Sequence, residues 1–470
     1  MHRIVLTLRN VTLRSASCAF LCAAALLFSN LVAAQRDGGA HRARLNGNAT
    51  LPPAANPESV GFDSERLKKL DAAMSKAVAD GEVVGMQTLL ARHGKIVSTN
   101  TYGKMSKDGS EAMRKDAIFR IYSMTKPITG VAMMILFEEG KWRLEDPITN
   151  YIPEFKDLKV WKGQDAEGKP VVEPARRPPT MRELMSHTAG FGYGLSDTNP
   201  VEKMFQERVL PLLFQNADNR DASKGLHHLA TTVAGIPLHS QPGERWSYSI
   251  AVDLQGYIIE KLSGQTLGQF FESRIFKPLK MNDTSFTVPA SKVSRLAAVY
   301  SADPKTKQLV EAVADGKRVQ DFTKTPGVES GGGGLVSTTA DYSRFCQMVV
   351  NGGELDGVRI LAPASIELMG TNQIPQAALV TTNGVPPVAF SDAVGFGLDF
   401  LVHNDPRKVG SMVGKGTLSW GGAAGTWFWI DPSNDVIFIG MIQRFGSAGG
   451  VDLAGLSRTL VYQALVDPKK

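Results

Sequence analysis

Strand-like segments stand at both ends of this chain, with a mainly helical block between them. Residues 83–90 and 95–100 are β-rich and flank Arg92-His93-Gly94, the composition of a hairpin turn. Far downstream, residues 396–402, 426–430 and 436–442 read as strands, the last two around the turn Asp431-Pro432-Ser433-Asn434-Asp435. In between, Ile250, Leu254, Ile258 and Leu262 recur every four residues as one helix face, and Gly264 supplies the stop. Residues 266–276 read as a further helix, halted by Pro278. This order predicts an α/β (α+β) fold: an antiparallel sheet built from both chain ends with flanking helices, plus an inserted helical lobe. The α/β lobe is expected from residues 56–140 and 291–470, and the helical lobe from residues 141–290. Helices are also expected over residues 62–79, 122–139 and 451–466. Another follows the cap candidates Ser337-Thr338-Thr339 and runs to about Val350. Residues 370–393 read as a long loop.

The N-terminus is a separate matter. Residues 1–17 hold Arg3, Arg9 and Arg14 and no acid; an apolar run follows from Cys18 to Phe28, then Val32-Ala33-Ala34. A basic start, a short apolar core and a small-residue exit read as a secretory signal peptide over residues 1–34. The apolar run is shorter than the ~20 residues a bilayer-spanning helix requires. Residues 35–55, rich in Arg, Gly, Ala, Asn and Pro, read as a flexible leader. A periplasmic or secreted protein is expected, with no stable membrane span once the signal is removed. Cleavage would take three arginines from a formal net charge of +6, so nucleic acid is not an expected partner. It would also leave Cys346 as the only cysteine, expected to be a small core residue.

Several common sites are absent: no G-x-S-x-G, no H-E-x-x-H, no Walker A and no C-x-x-C. Adjacent His227-His228 read as surface or loop residues, and no metal or cofactor is expected. The single S-x-x-K, Ser123-Met124-Thr125-Lys126, opens a predicted helix, where i,i+3 spacing puts both side chains on one face. Free N–H groups at a helix start can bind an oxyanion while the serine attacks a carbonyl. A desolvated lysine with a depressed pKa can act as base. A capping serine beside a solvated lysine would give the same pattern. Tyr248 lies in Trp246-Ser247-Tyr248-Ser249, directly before the Ile250 helix, where a phenol can point into a cleft and shuttle a proton. Ser419-Trp420-Gly421-Gly422-Ala423-Ala424-Gly425 lets a substrate approach a strand edge closely, or forms a simple turn.

Together these segments resemble the serine β-lactamase and penicillin-binding-protein superfamily, and within it class C β-lactamases and family VIII carboxylesterases. The likeness spans about residues 57–467. It includes Leu184-Met185-Ser186-His187-Thr188-Ala189-Gly190, similar to an L-L-x-H-T-S-G box, and Lys277-Pro278-Leu279-Lys280-Met281, similar to P-L-G-M. Gly333-Gly334-Leu335-Val336-Ser337-Thr338 is similar to G-G-L-x-S-T. The resemblance implies Ser123 as acylated nucleophile, Lys126 as its proton acceptor and Tyr248 as a relay. It implies the amides of Ser123 and Ala423 as oxyanion hole. Trp420, Gly421, Gly422, Tyr193 and Ile250 are the candidate substrate-binding positions, with further walls expected near Phe191 and in residues 370–393.

Two departures bear on substrate. Where lactamases read Y-x-N, Ile250 follows Tyr248 at that spacing and offers no amide. Where lactamases and peptidases read K/H-T/S-G, the chain has Trp420-Gly421-Gly422, without a cation for a substrate carboxylate. Both favour a serine hydrolase acting on small-to-medium acyl esters. The alternatives are a β-lactamase or a D-aminopeptidase or DD-peptidase-type amide hydrolase, and a non-catalytic binding protein of the same fold. The joint presence of Ser123, Lys126 and Tyr248 weighs against the last.

Overall fold

The computed structural model describes residues 50–196, 199–217, 225–312, 319–378, 390–446 and 451–469, which fall in one compact unit. The expected signal peptide and residues 35–49 of the expected leader lie outside them. Residues 50–55 are not loose: Leu51 is buried, and Ala54 N–H donates to the Ile96 carbonyl at 2.8 Å.

Seven strands make the main sheet: β1 (Gly85–Arg92), β2 (Lys95–Gly103), β3 (Val394–Phe396), β4 (Leu401–His403), β5 (Thr417–Gly421), β6 (Trp427–Asp431) and β7 (Val436–Ile442). Their order is β3-β4-β5-β6-β7-β1-β2, antiparallel throughout. The two chain ends meet where β1 pairs with β7, Met86 opposite Ile442 and Arg92 opposite Val436. His93 and Gly94, with φ of 53° and 69°, form the two-residue turn between β1 and β2.

The longer helices among the described residues include α1 (Ser64–Ala79), α2 (Thr125–Glu138), α3 (Ala251–Ser263), α4 (Thr339–Val350) and α5 (Leu453–Tyr462). Strand side chains alternate between faces. Met86, Leu90, Trp429 and Phe438 pack with Leu70 and Met74 of α1 and Val461 of α5. Leu89, Phe428, Ile437 and Ile439 face a larger core with α2 and α4. Leu226, Leu254 and Ile258 of the helical block belong to that same core. With both faces covered, β1 and β7 are buried along their whole length. Cys346 on α4 is fully buried and unpaired.

Four local expectations change. The stretch 396–402 is not one strand: β3 and β4 form a hairpin, with Asp399 at φ 62° in its turn. A hairpin of Lys159–Gln164 with Pro170–Pro174 lies inside the block expected to be helical or irregular. Pro278 does not stop its helix. A π-turn over Glu272–Phe276 precedes it, and the wider turn spares the proline ring the carbonyl it would otherwise strike; the helix ends at Lys280, φ 56°. The helix expected from residue 122 begins at Thr125, after a 3₁₀ turn over Tyr122–Met124.

Candidate active site

That 3₁₀ turn positions Ser123. Phe119–Arg120 pairs antiparallel with Val336–Ser337, and the chain then turns sharply at Tyr122, φ 41°. A bulky residue rarely adopts this left-handed conformation, so the surroundings must hold it there. The Tyr122 ring is wedged edge-on against Phe322 and Phe445, with centroids 5.9 and 5.4 Å away. Ser123 is thereby presented, half-buried, at a strand-to-helix corner. One turn further, Lys126 is fully buried. Its Nζ donates to the Gly332 carbonyl at 2.7 Å, Tyr193 Oη at 3.2 Å and Ser123 Oγ at 3.3 Å. Three N–H donors on an ammonium meet three oxygens.

The expected depression of Lys126 is reversed. Burial lowers its pKa, but Tyr193, Tyr248 and Asp253 together outweigh burial and hold the ammonium above its ordinary range.

Tyr248 closes the other side. Its Oη donates to Ser123 Oγ at 2.7 Å and receives Trp420 Nε1–H at 3.4 Å. His187, Tyr193 and Trp420 surround its ring with centroids 5.0, 5.3 and 5.3 Å away. Lys126 Nζ stands 4.6 Å from the ring centroid, a cation–π distance. His187 lies buried beneath, bonded through Nδ1 to Ser249 Oγ at 2.9 Å. Burial, and then the Lys126 charge, push it well below the ordinary histidine value, so its ring is neutral at neutral pH.

The third wall is the end of β5. A Cβ at Gly422 would stand 2.4 Å from the Ile121 carbonyl oxygen, so only glycine lets this turn close against the Ser123 corner. Ala423 is exposed beside it, and among the described residues its amide donates to no backbone carbonyl.

These parts border one cavity of about 470 Å³. Ser123, Tyr193, Tyr248, Trp420, Gly421, Gly422 and Ala423 line it, together with Tyr122, Leu195, Leu210, Leu213, Phe214, Gln320, Ser330, Gly333 and Phe445. No lining residue among those described carries a charge. Two expectations fail here. Ile250 is fully buried and does not reach the cavity; its side chain continues the apolar face of α3 into the core. Phe191 packs against Phe155 in the core, the rings tilted and 5.4 Å apart between centroids. Residues 379–389 lie outside those described, and the described parts of 370–393 do not line the cavity.

Sequence reasoning missed the wall formed by the short helix Leu210–Phe214. It also missed Asp253, buried behind Lys126: an acid in the first turn of a helix reads as an ordinary dipole partner. Tyr193 was placed only as a wall, yet its hydroxyl also receives a Lys126 hydrogen bond. Among the described residues, no group of three or more His, Cys, Asp or Glu is arranged to hold a metal ion. His227 is exposed, on the helix Gly225–Ala234.

A family model described as Beta-lactamase matches residues 70–462. Protein Rv1367c of Mycobacterium tuberculosis is 35% identical over 379 residues, covering 79% of this chain and 89% of the relative. Esterase EstB of Burkholderia gladioli is 28% identical over 388 residues, covering 79% and 90%. The solved structure of EstCE1, described as a hydrolase with promiscuous acyltransferase activity, superposes with a TM-score of 0.67 at 24% identity, covering 85% of this chain and 99% of that one.

Proposed function

The chain belongs to the beta-lactamase family and is a serine hydrolase of that fold, and on that premise we propose that it cleaves neutral acyl esters of small to medium size through an acyl-enzyme on Ser123. The observation that carries this reading is the cavity: Ser123 and Tyr248 open onto it, and no described lining residue is charged. A penicillin or D-Ala-D-Ala carboxylate would lose its hydration there with no cation to pair with. A neutral ester pays no such penalty, and the esterase named among the relatives points the same way.

Attack by Ser123 Oγ requires a place for its proton and a place for the oxyanion. The Lys126–Tyr248 pair must therefore be one proton short of full, a vacancy that coupled groups share. Of the two, the Tyr248 oxygen lies nearer to Ser123 Oγ, at 2.7 Å against 3.3 Å for Lys126 Nζ, and is the group that exchanges the proton with it in this reading. Ser123 gives its proton to that oxygen as the Oγ–acyl bond forms. The carbonyl oxygen takes up charge between the amides of Ser123 and Ala423. Collapse breaks the bond to the alcohol, which leaves with the proton from Tyr248. Water then gives a proton to Tyr248 and attacks the acyl carbon. Breaking the Ser123 ester returns that proton to Oγ and frees the acid.

The test compares the protein and its Ser123→Ala variant on p-nitrophenyl butyrate and on a chromogenic cephalosporin. The proposal expects ester turnover that disappears on mutation, and an acyl adduct on Ser123 by mass spectrometry. Cephalosporin turnover far above ester turnover would overturn it. We also propose export through residues 1–34; an N-terminus still at residue 1 in protein recovered from its native host would refute this.

A further inference from the structure

Asp253, on the first turn of α3, is fully buried. Its Oδ1 accepts from Ser330 Oγ at 2.5 Å and from the Gly332 amide at 3.1 Å. The carbonyl of that same Gly332 accepts from Lys126 Nζ at 2.7 Å. One peptide group thus binds an acid through its N–H and an ammonium through its C=O, which polarises it in the sense that strengthens both bonds. A Cβ at residue 332 would stand 2.4 Å from Asp253 Oδ2, so glycine is required for the peptide to lie this close. Among the described residues, no carboxylate lies within ion-pair distance of Lys126. A buried ammonium left without any counter-charge is costly.

We infer that Asp253 is a positioning residue of the proposed reaction: acting through the Gly332 peptide, it pins the Lys126 ammonium in place beside Ser123 and Tyr248. The inference rests on the acyl-enzyme reading above. Five groups feel the Lys126 charge. Tyr193 and Tyr248 face it directly, and His187 is neutral. Asp399, in the β3–β4 turn, is buried and bonded to Gln255 Nε2 at 3.2 Å; burial raises its carboxyl well above the ordinary range. Asp253 alone is joined to Lys126 through a peptide. Burial raises its pKa as well, while Lys126, Ser330 and the Gly332 amide favour its charged form.

A carboxylate beside the Lys126–Tyr248 pair raises the pH at which the pair gives up its first proton. Asp253→Asn keeps the shape and removes the charge. The acid limb of the kcat/KM profile should move down by about one pH unit, and the plateau should fall about tenfold as the lysine loosens. Ser330→Ala, which removes the 2.5 Å donor from Asp253, should move the limb the same way by less and serves if the asparagine variant does not fold. An unmoved limb in the folded variant overturns the inference, whether the plateau is normal or reduced. Ser123→Ala is assayed in parallel. If it keeps ester turnover, the acyl-enzyme reading itself fails; if it is inactive while the Asp253→Asn profile matches that of the unaltered protein, only this inference fails.

Discussion

Tyr248 Oη lies 2.7 Å from Ser123 Oγ, nearer than Lys126 Nζ at 3.3 Å. The two side chains come from segments 125 residues apart and meet at the cavity wall. In the proposed reaction the shorter contact makes Tyr248 the partner of the Ser123 proton. Tyr248→Phe should therefore lower kcat by about 100-fold or more with little change in KM. Trp420→Phe keeps an aromatic side chain but removes the indole N–H and its 3.4 Å bond to Tyr248, so it should cost less than about tenfold. Steady-state kinetics on p-nitrophenyl butyrate check both.

The helix Leu210–Phe214 brings Leu210, Leu213 and Phe214 to the cavity. Leu213→Trp should fill space that a longer acyl chain would occupy. Relative to acetate, kcat/KM for octanoate should fall about tenfold or more, since each methylene in an apolar pocket carries a comparable factor. An unchanged chain-length series would place the acyl group elsewhere.

Gly422→Ala pushes a methyl toward the Ile121 carbonyl and Thr426 Oγ1, 2.4 and 2.3 Å from the new Cβ. The turn must open, taking the Ala423 amide away from Ser123. We expect a loss of about 1–3 kcal/mol in stability and a fall in kcat larger than any change in KM. Thermal unfolding and kinetics on one preparation separate the two effects.

Glu202 ties down the loop that carries Tyr193. Its Oε1 bonds His239 Nε2 at 2.6 Å, and its oxygens accept from the amides of Tyr193, Gly194 and Leu195 at 3.2, 2.6 and 3.0 Å. Burial raises its pKa, but His239 and these amides outweigh it, so the carboxyl sits below its ordinary 4.5. A depressed acid contributes stability that is present above the unfolded value and lost as pH falls through the folded one. Glu202→Gln should therefore be less stable by about 2–4 kcal/mol at pH 7. The gap to the unaltered protein should begin to narrow below pH 4.5. Denaturant titrations between pH 7 and pH 3 test this; a gap constant across that range would remove the ionised carboxylate from the account.

Much of the frame is local in origin, and so legible in sequence. The β1–β2 turn is announced by His93-Gly94, the end of α3 by Gly264, and the start of α4 by Thr338, whose hydroxyl caps Asp341 N–H. Each depends on residues a few positions apart, and backbone sterics and capping act over that distance. The hairpin at Asp399 was less legible because an apolar run gives one signal whether it is one strand or two.

The amino-acid order by itself placed Ser123 and Lys126 one turn apart on a helix start and put strands at both ends of the chain. Only the tertiary structure decided which way the Lys126 pKa is shifted. Burial alone lowers a lysine pKa, and local sequence carries no record of Tyr193, Tyr248 and Asp253, which converge on this one from 67, 122 and 127 residues away and reverse the sign. Tertiary packing likewise sent Ile250 into the core and brought Leu213 to the cavity, because which face of a short segment is covered depends on what folds against it.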